Sequence, residues 1–247
     1  GIGLGVPGVT DERGEIVTLA PALNWHAFNL GGFVRDSLGL PVWVENDVNC
    51  FLKGEQSLGS MRDVKNGIGI TIGTGIGASL LINGHIYRGS RGAAGEMGYW
   101  VLGPFLQAQD FQGHGEFESF AAGPGIAARA RRLLQHKAHH SILAQRYGGD
   151  LDSITAEDVF QAAHLGDEIA CRVVEDTIAV LGAVLANISS VLDLERIVIG
   201  GGVVQGGDFF IEAIQKRIAA LSPNPPEVVR SLLNSDANIL GAALYFL

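Results

Sequence analysis

The sequence predicts an α/β fold, and three observations carry that expectation. Short apolar runs rich in Ile and Val, at residues 1–6, 40–44, 67–82 and 195–199, read as buried strands. Stretches with helical spacing of apolar residues follow at 126–136, 155–164 and 167–191. The run 195–199 then passes into Gly200-Gly201-Gly202 and a further helical stretch, a strand–glycine loop–helix order that belongs to α/β architecture.

Taken in order, residues 1–6 are a strand closed by the turn signal Pro7-Gly8, and 15–20 are a second strand. Phe28, Leu30, Phe33, Val34 and Leu38 give a helix over 28–38 that ends at Gly39. Strand 40–44 leads into a helix over 46–58, and 63–66 form a polar turn. Residues 67–82 are two strands folded back around Gly73-Thr74-Gly75, with Asn83-Gly84 as a hairpin signal and 85–87 as the returning strand. Residues 89–125 are loop-rich. Thr155, with Asp158 three residues on, is the N-cap of the second late helix. A helix over 209–221, a short strand at 228–229 and a terminal helix over 237–246 complete the chain.

Composition excludes several classes. The chain has 247 residues, 47% of them hydrophobic, with 17 Lys+Arg against 26 Asp+Glu and a net charge of −9. That is a globular composition, and the acidic balance argues against this chain gripping nucleic acid. No stretch approaches the ~18 apolar residues of a membrane span; the longest apolar helix, 178–191, is broken by Asn187, Ser189 and Ser190. Cys50 and Cys171 have no metal-ligand spacing and read as buried reduced thiols, which fits a cytoplasmic protein. No secretory leader is visible. The sequence starts at Gly1, inside an apolar run, so a natural N-terminus upstream is expected. Glycine is the outlier: 35 residues, about 14% and twice the usual ~7%, gathered in short clusters where backbone meets a ligand.

Five clusters bear on chemistry. In Glu45-Asn46-Asp47-Val48-Asn49 a strand ends and a helix begins. An Asn or Asp there is either a cap or a general base at a strand's carboxyl end, where an Asp accepting a hydroxyl proton suits phosphoryl transfer. Gly73-Thr74-Gly75 is either a tight hairpin or a cradle of N–H groups for an anion, with Thr74 adding a hydroxyl. It is not the dinucleotide fingerprint, because strand residues and not a helix follow. Gly200-Gly201-Gly202 removes Cβ atoms where a flat ligand such as a nucleobase would approach. Glu96, alone in a run of small residues, and Glu118 are candidate ligands; the alternatives are a surface acid and a helix-start acid favoured by the dipole. His136, His139 and His140 beside Arg131, Arg132 and Lys137 read as a solvated polar segment, and no nucleophile elbow is present.

These residues together resemble the ROK family of bacterial sugar kinases and sugar-responsive repressors. The match runs through Gly5-Val-Pro-Gly8, Leu23-Asn-Trp25, Glu45-Asn-Asp-Val-Asn49, Ile72-Gly-Thr-Gly-Ile-Gly77, Ala94-Gly-Glu96-Met-Gly98, Glu118 and Ile199-Gly-Gly-Gly202. The resemblance implies a two-lobed, actin-like (ribonuclease-H-like) ATPase fold with an inter-lobe cleft. The small lobe would be 1–65 plus 233–247, and the large lobe 66–232. It implies Asp47 as catalytic base, and Asn46, Asp47, Glu96, Tyr99 and Glu118 as sugar-side residues. Gly73, Thr74 and Gly75 would be a phosphate loop, and Gly200, Gly201 and Gly202 the adenosine loop.

Three departures stand out. The family's Asp-x-Gly-Gly-Thr loop is expected upstream of Gly1. The family's zinc ligands are replaced by Tyr99, Gln109, Phe111 and Glu116, so no zinc is expected; Phe105, Phe111 and Phe117 would order that loop as an apolar cluster. A DNA-binding segment is absent from these residues. The resemblance therefore implies an ATP- and Mg²⁺-dependent, glucokinase-like monosaccharide kinase. The alternative is the effector domain of a xylose-repressor-like regulator that meets DNA only through another domain. A homodimer that binds neither membrane nor, through this chain, nucleic acid is expected.

Overall fold

The computed structural model describes residues 1–103, 115–137 and 141–246, and its strands fall into three sheets. Strands β1 (Ile2–Val6) and β5 (Val42–Asn46) pair in parallel, with Val6 opposite Asn46. Strands β2 (Val9–Thr10), β3 (Val17–Ala20) and β4 (Trp25–Phe28) form an antiparallel ribbon. The third sheet holds β6 (Gly67–Ile72), β7 (Ile76–Ile82), β8 (His85–Tyr87), β9 (Arg196–Gly200) and β10 (Glu227–Arg230) in the order β10-β9-β6-β7-β8. Strand β9 is parallel to both neighbours, while β6, β7 and β8 run antiparallel in sequence.

Helix α1 (Leu30–Leu38) starts two residues later than its apolar spacing predicts. Asn29 caps it by accepting the Gly32 N–H, and Phe28 belongs to β4. The ribbon strands β2 and β4 were not expected: one is two residues long, and the other contains Ala27 at φ +48°, which interrupts a strand pattern. Helix α2 (Asp47–Leu58) contacts strands of two sheets, β1 and β5 on one hand and β6, β7 and β8 on the other. Its Val48, Phe51 and Leu52 pack against the five-stranded sheet, and its other side meets β1 and the last helix.

The loop-rich region contains an unexpected helix, α3 (Glu116–Ala121), and runs directly into α4 (Gly123–Lys137). Helix α5 (Ile142–Tyr147), capped by Ser141, was also unexpected; at six residues it is too short to show a period. Helix α6 (Ala156–His164) opens with the expected capping box of Thr155 and Asp158. Helices α7 (Glu168–Leu192) and α8 (Asp208–Ala219) complete the layer that packs on the large sheet. Its core contains Phe117, Ile126, Leu134, Phe160, Leu185, Ile197 and Phe210. Helix α9 (Asp236–Ala243) returns to α2, in backbone contact: a Cβ on Gly241 would stand 1.7 Å from the Cys50 carbonyl oxygen.

Cys50 is buried as expected, but Cys171 is only partly so. Phe117 lies in the main core, whereas Phe105 and Phe111 lie outside the described residues, as do His139 and His140. Among the described residues no helix is long and apolar enough to cross a membrane.

Candidate functional site

The site forms where β5 and β6 end. Strand β5 delivers Glu45, Asn46 and Asp47 to the start of α2, whose first N–H groups need capping partners. Asn46 is the cap: its Oδ1 accepts from Val48 N at 2.9 Å and Asn49 N at 3.0 Å, and its Nδ2 donates to Gly8 O at 3.0 Å. That leaves one amide N–H uncommitted. Asp47 is the first helical residue, and its Oδ1 accepts the Val48 N–H at 2.9 Å. Burial raises its pKa against the lowering effect of those backbone bonds.

Glu96 faces the same space. Burial, then the charges of Asp47 and Glu118, push its pKa up. Its carboxylate takes no hydrogen bond among the described residues. Tyr99 is 45% exposed, and burial with the nearby Glu96 and Glu118 raises its phenol pKa. Glu118, the third residue of α3, is a helix-start acid and also reaches the hairpin, where its Oε2 accepts Ile76 N at 3.0 Å.

These residues line one cavity. Asn46, Asp47, Glu96, Tyr99 and Glu118 share its wall with Gly73, Thr74, Gly75 and Gly201, around a volume of about 630 Å³. A second cavity of about 660 Å³ opens beside it, lined by Gly200, Gly201, Gly202 and again Asp47 and Thr71. A third, of about 1140 Å³, begins at Gly73, Thr74 and Gly202 and extends along Gly123, Arg131, Phe160 and His164. Asp47 therefore stands between an acidic chamber and a glycine-walled one.

The three glycines after β9 serve different ends. A Cβ on Gly200 would meet the Phe51 ring at 2.7 Å, so this glycine serves core packing. Gly201 has φ +94° and lies against the Ile72 carbonyl. Only Gly202 faces open space, and Gly73 does the same on the hairpin.

The sequence did not assign the residues that hold this site in place. Glu45 is 1% exposed, and its Oε1 accepts from Asn46 N at 2.9 Å and Asn49 Nδ2 at 3.0 Å, while Oε2 pairs with Arg88. Asn49 in turn accepts the Ser79 hydroxyl at 2.6 Å, tying α2 to β7. The signal was present: an acid inside an apolar strand demands a buried partner. At the positions where the resemblance places zinc ligands, Glu116 Oε2 accepts Leu102 N at 2.8 Å and Gly103 N at 3.2 Å. Gln109 and Phe111 lie outside the described residues. Among the described residues no group of three or more His, Cys, Asp or Glu is arranged to hold a metal.

Fold and site define a protein of the two-lobed, actin-like class, to which its structural neighbours belong. The model of the ROK family matches residues 1–247, and the chain belongs to that family. It is similar to the glucokinase of Halalkalibacterium halodurans, 35% identical over 247 residues, covering 98% of this chain and 74% of that enzyme. The structure of a ROK glucokinase from Streptomyces griseus with glucose and AMPPNP matches with a TM-score of 0.86 at 29% identity, covering 98% of this chain and 80% of that one. The xylose repressor of Caldicellulosiruptor bescii is 27% identical over 218 residues, 88% of this chain and 54% of the repressor.

Proposed function

We propose that this chain forms the sugar- and nucleotide-binding body of an ATP-dependent monosaccharide kinase, with Asp47 as general base. The observation that carries this reading is the place of Asp47 on the wall common to the acidic and the glycine-lined cavities. Sugar hydroxyls are donors, and the Glu96 and Glu118 carboxylates accept from them. The spare Asn46 N–H and the Tyr99 phenol add contacts. A hydroxyl held there faces Asp47, whose raised pKa makes it a stronger proton acceptor than an ordinary Asp.

Beside Asp47, loop 73–75 on the wall of the acidic cavity and loop 200–202 in the adjoining one, with the Thr74 hydroxyl, suit phosphate oxygens, because Gly73 and Gly202 leave their surroundings open. ATP supplies the phosphoryl group, and Mg²⁺ bound to it needs one or two carboxylates besides phosphate, not a protein cage. Zinc has no part in this reading, since Glu116 is engaged by backbone N–H groups where a thiolate would stand.

Asp47→Asn keeps the shape and removes the base. Glucose phosphorylation is expected to slow by about 10²–10⁴, with sugar affinity changed far less. Equal turnover in the two proteins removes Asp47 from the role.

The likeness to a xylose repressor over most of the chain favours a second reading, a sugar-sensing effector domain. ATP consumption with none of a panel of sugars, together with sugar-dependent release of DNA by the complete protein, decides for it. We also propose the lobes 1–65 with 233–247 against 66–232, supported by the packing of α9 on α2 and β1. Closure on glucose, measured by X-ray scattering, tests that division. Sedimentation tests the expected homodimer.

A further inference from the structure

The Gly73-Thr74-Gly75 turn is gripped at both ends by one short piece of chain. Glu118 Oε2 accepts the Ile76 N–H at 3.0 Å, just after the turn. The Gly123 N–H donates to Gly73 O at 2.8 Å, at its start. The turn closes on itself through Gly73 N to Gly75 O at 3.0 Å. Between the two grips Ala121 and Ala122 are buried in the main core, so the grips are anchored together. Gly75 is what admits the carboxylate: a Cβ there would stand 2.5 Å from Glu118 Oε2 and meet no other residue within 4 Å. Its φ is not in the left-handed region, so a side chain at 75 is opposed by space and not by conformation, and Glu118 could make room only by swinging away from the Ile76 N–H. The other oxygen of Glu118 takes no hydrogen bond among the described residues, and the residue lines the acidic cavity.

We infer that Glu118 couples the acidic cavity to the 73–75 turn, so that a hydroxyl donor on its free oxygen and an anion on the turn strengthen each other, with Gly75 and Gly123 as positioning residues. A carboxylate fixed by a ligand on one oxygen holds Ile76 N–H more firmly with the other. The turn then has less freedom to lose when phosphate docks. By linkage the benefit is reciprocal. The ligands named here rest on the kinase reading; the grip on the turn does not.

Three measurements test it. In the ligand-free protein, the Ile76 amide should exchange about 10–100-fold faster in Glu118→Ala, the loss of a hydrogen bond to a charged acceptor. Gly75→Ala should lower Tm in the Glu118 background and leave it unchanged in Glu118→Ala, where the obstruction is gone. With glucose and AMPPNP as probes, each should tighten the other by a factor within about 5–150. Glu118→Gln, which preserves shape, should bring that factor close to one. Unchanged Ile76 exchange, additive Tm effects, or full coupling in Glu118→Gln would each overturn the inference. If wild type binds neither probe, the kinase reading and the coupling both fall, while a fast-exchanging Ile76 in Glu118→Ala would leave the grip as a structural device.

Discussion

At the C-terminal end of α2, the Glu55 carboxylate is fully buried and both oxygens are engaged. Oε1 accepts from the Ser231 hydroxyl at 2.6 Å and Leu233 N at 3.0 Å; Oε2 accepts from Ser60 N at 2.7 Å and Leu232 N at 3.4 Å. At the N-terminal end, Asp47 is half-buried on the cavity wall and accepts only backbone N–H groups of its own turn. Across the cavity Glu96 accepts from no side chain or backbone group among the described residues. The exposed Glu96 and half-buried Asp47 can be hydrated in the open cavity, whereas the fully buried Glu55 must find its donors within the fold, because desolvated charge is costly unless it is paired. Glu55 is an anchor that fixes the segment before α9. Asp47 and Glu96 leave acceptor positions without a side-chain donor among the described residues, which is what the sugar-binding reading proposed above requires.

The largest expected effect lies at the anchored end. Glu55→Ala leaves the donors of Ser60, Ser231, Leu232 and Leu233 without their acceptor, and should cost about 3–5 kcal/mol in urea denaturation. A cost under about 1 kcal/mol would break the comparison. Arg88→Met comes next. It strands the Glu45 charge, but the Arg88 side chain is 20% exposed and water can reach the gap, so about 2–4 kcal/mol is expected. Because Glu45 also holds Asn46 and Asn49, turnover should fall with stability in this variant.

Much of this was legible from the residues. The hairpin at 73–75, the start of α2 and the strand–glycine–helix passage at 200–202 each have a local cause, a glycine cluster or a cap beside an apolar run. The grouping of Asp47, Glu96 and Glu118 was legible only through the family resemblance, since their contact depends on three chain segments meeting. The Glu45–Arg88 pair and the Glu55 network went unassigned because their partners lie 43 and 176 residues away in sequence, and no local pattern records such a distance. The same holds for Gly75, whose requirement appears only once Glu118 is seen beside it.

At the ligand-ready end, affinity and not stability should respond first. Glu96→Gln should weaken glucose binding by about 1–3 kcal/mol, the worth of hydrogen bonds to a charged acceptor, as read by calorimetry. Unchanged affinity would make Glu96 a bystander of the cavity and leave Asp47 and the second oxygen of Glu118 as its available acceptors.

The smallest effect sharpens the contrast most, because the two ends of α2 should differ in sign. Burial raises the pKa of Asp47, and burial with the charges of Asp47 and Glu118 raises that of Glu96. A carboxyl whose folded pKa lies above its unfolded value adds stability that is fully present below the unfolded pKa and is lost as pH rises through the folded one. Ionising either group opposes folding, least for the exposed Glu96, and a neutral amide of the same shape removes that burden. Asp47→Asn should therefore raise the ligand-free Tm at pH 7 slightly, and Glu96→Gln by less, because Glu96 is exposed. The gain should shrink as pH falls toward about 4, where wild type is itself protonated. Glu55→Gln should lower Tm at pH 7, since an amide cannot accept all four donors. A fall in Tm for Asp47→Asn like that of Glu55→Gln would mean that both ends of α2 are anchors, and the acidic cavity would lose its claim to a ligand.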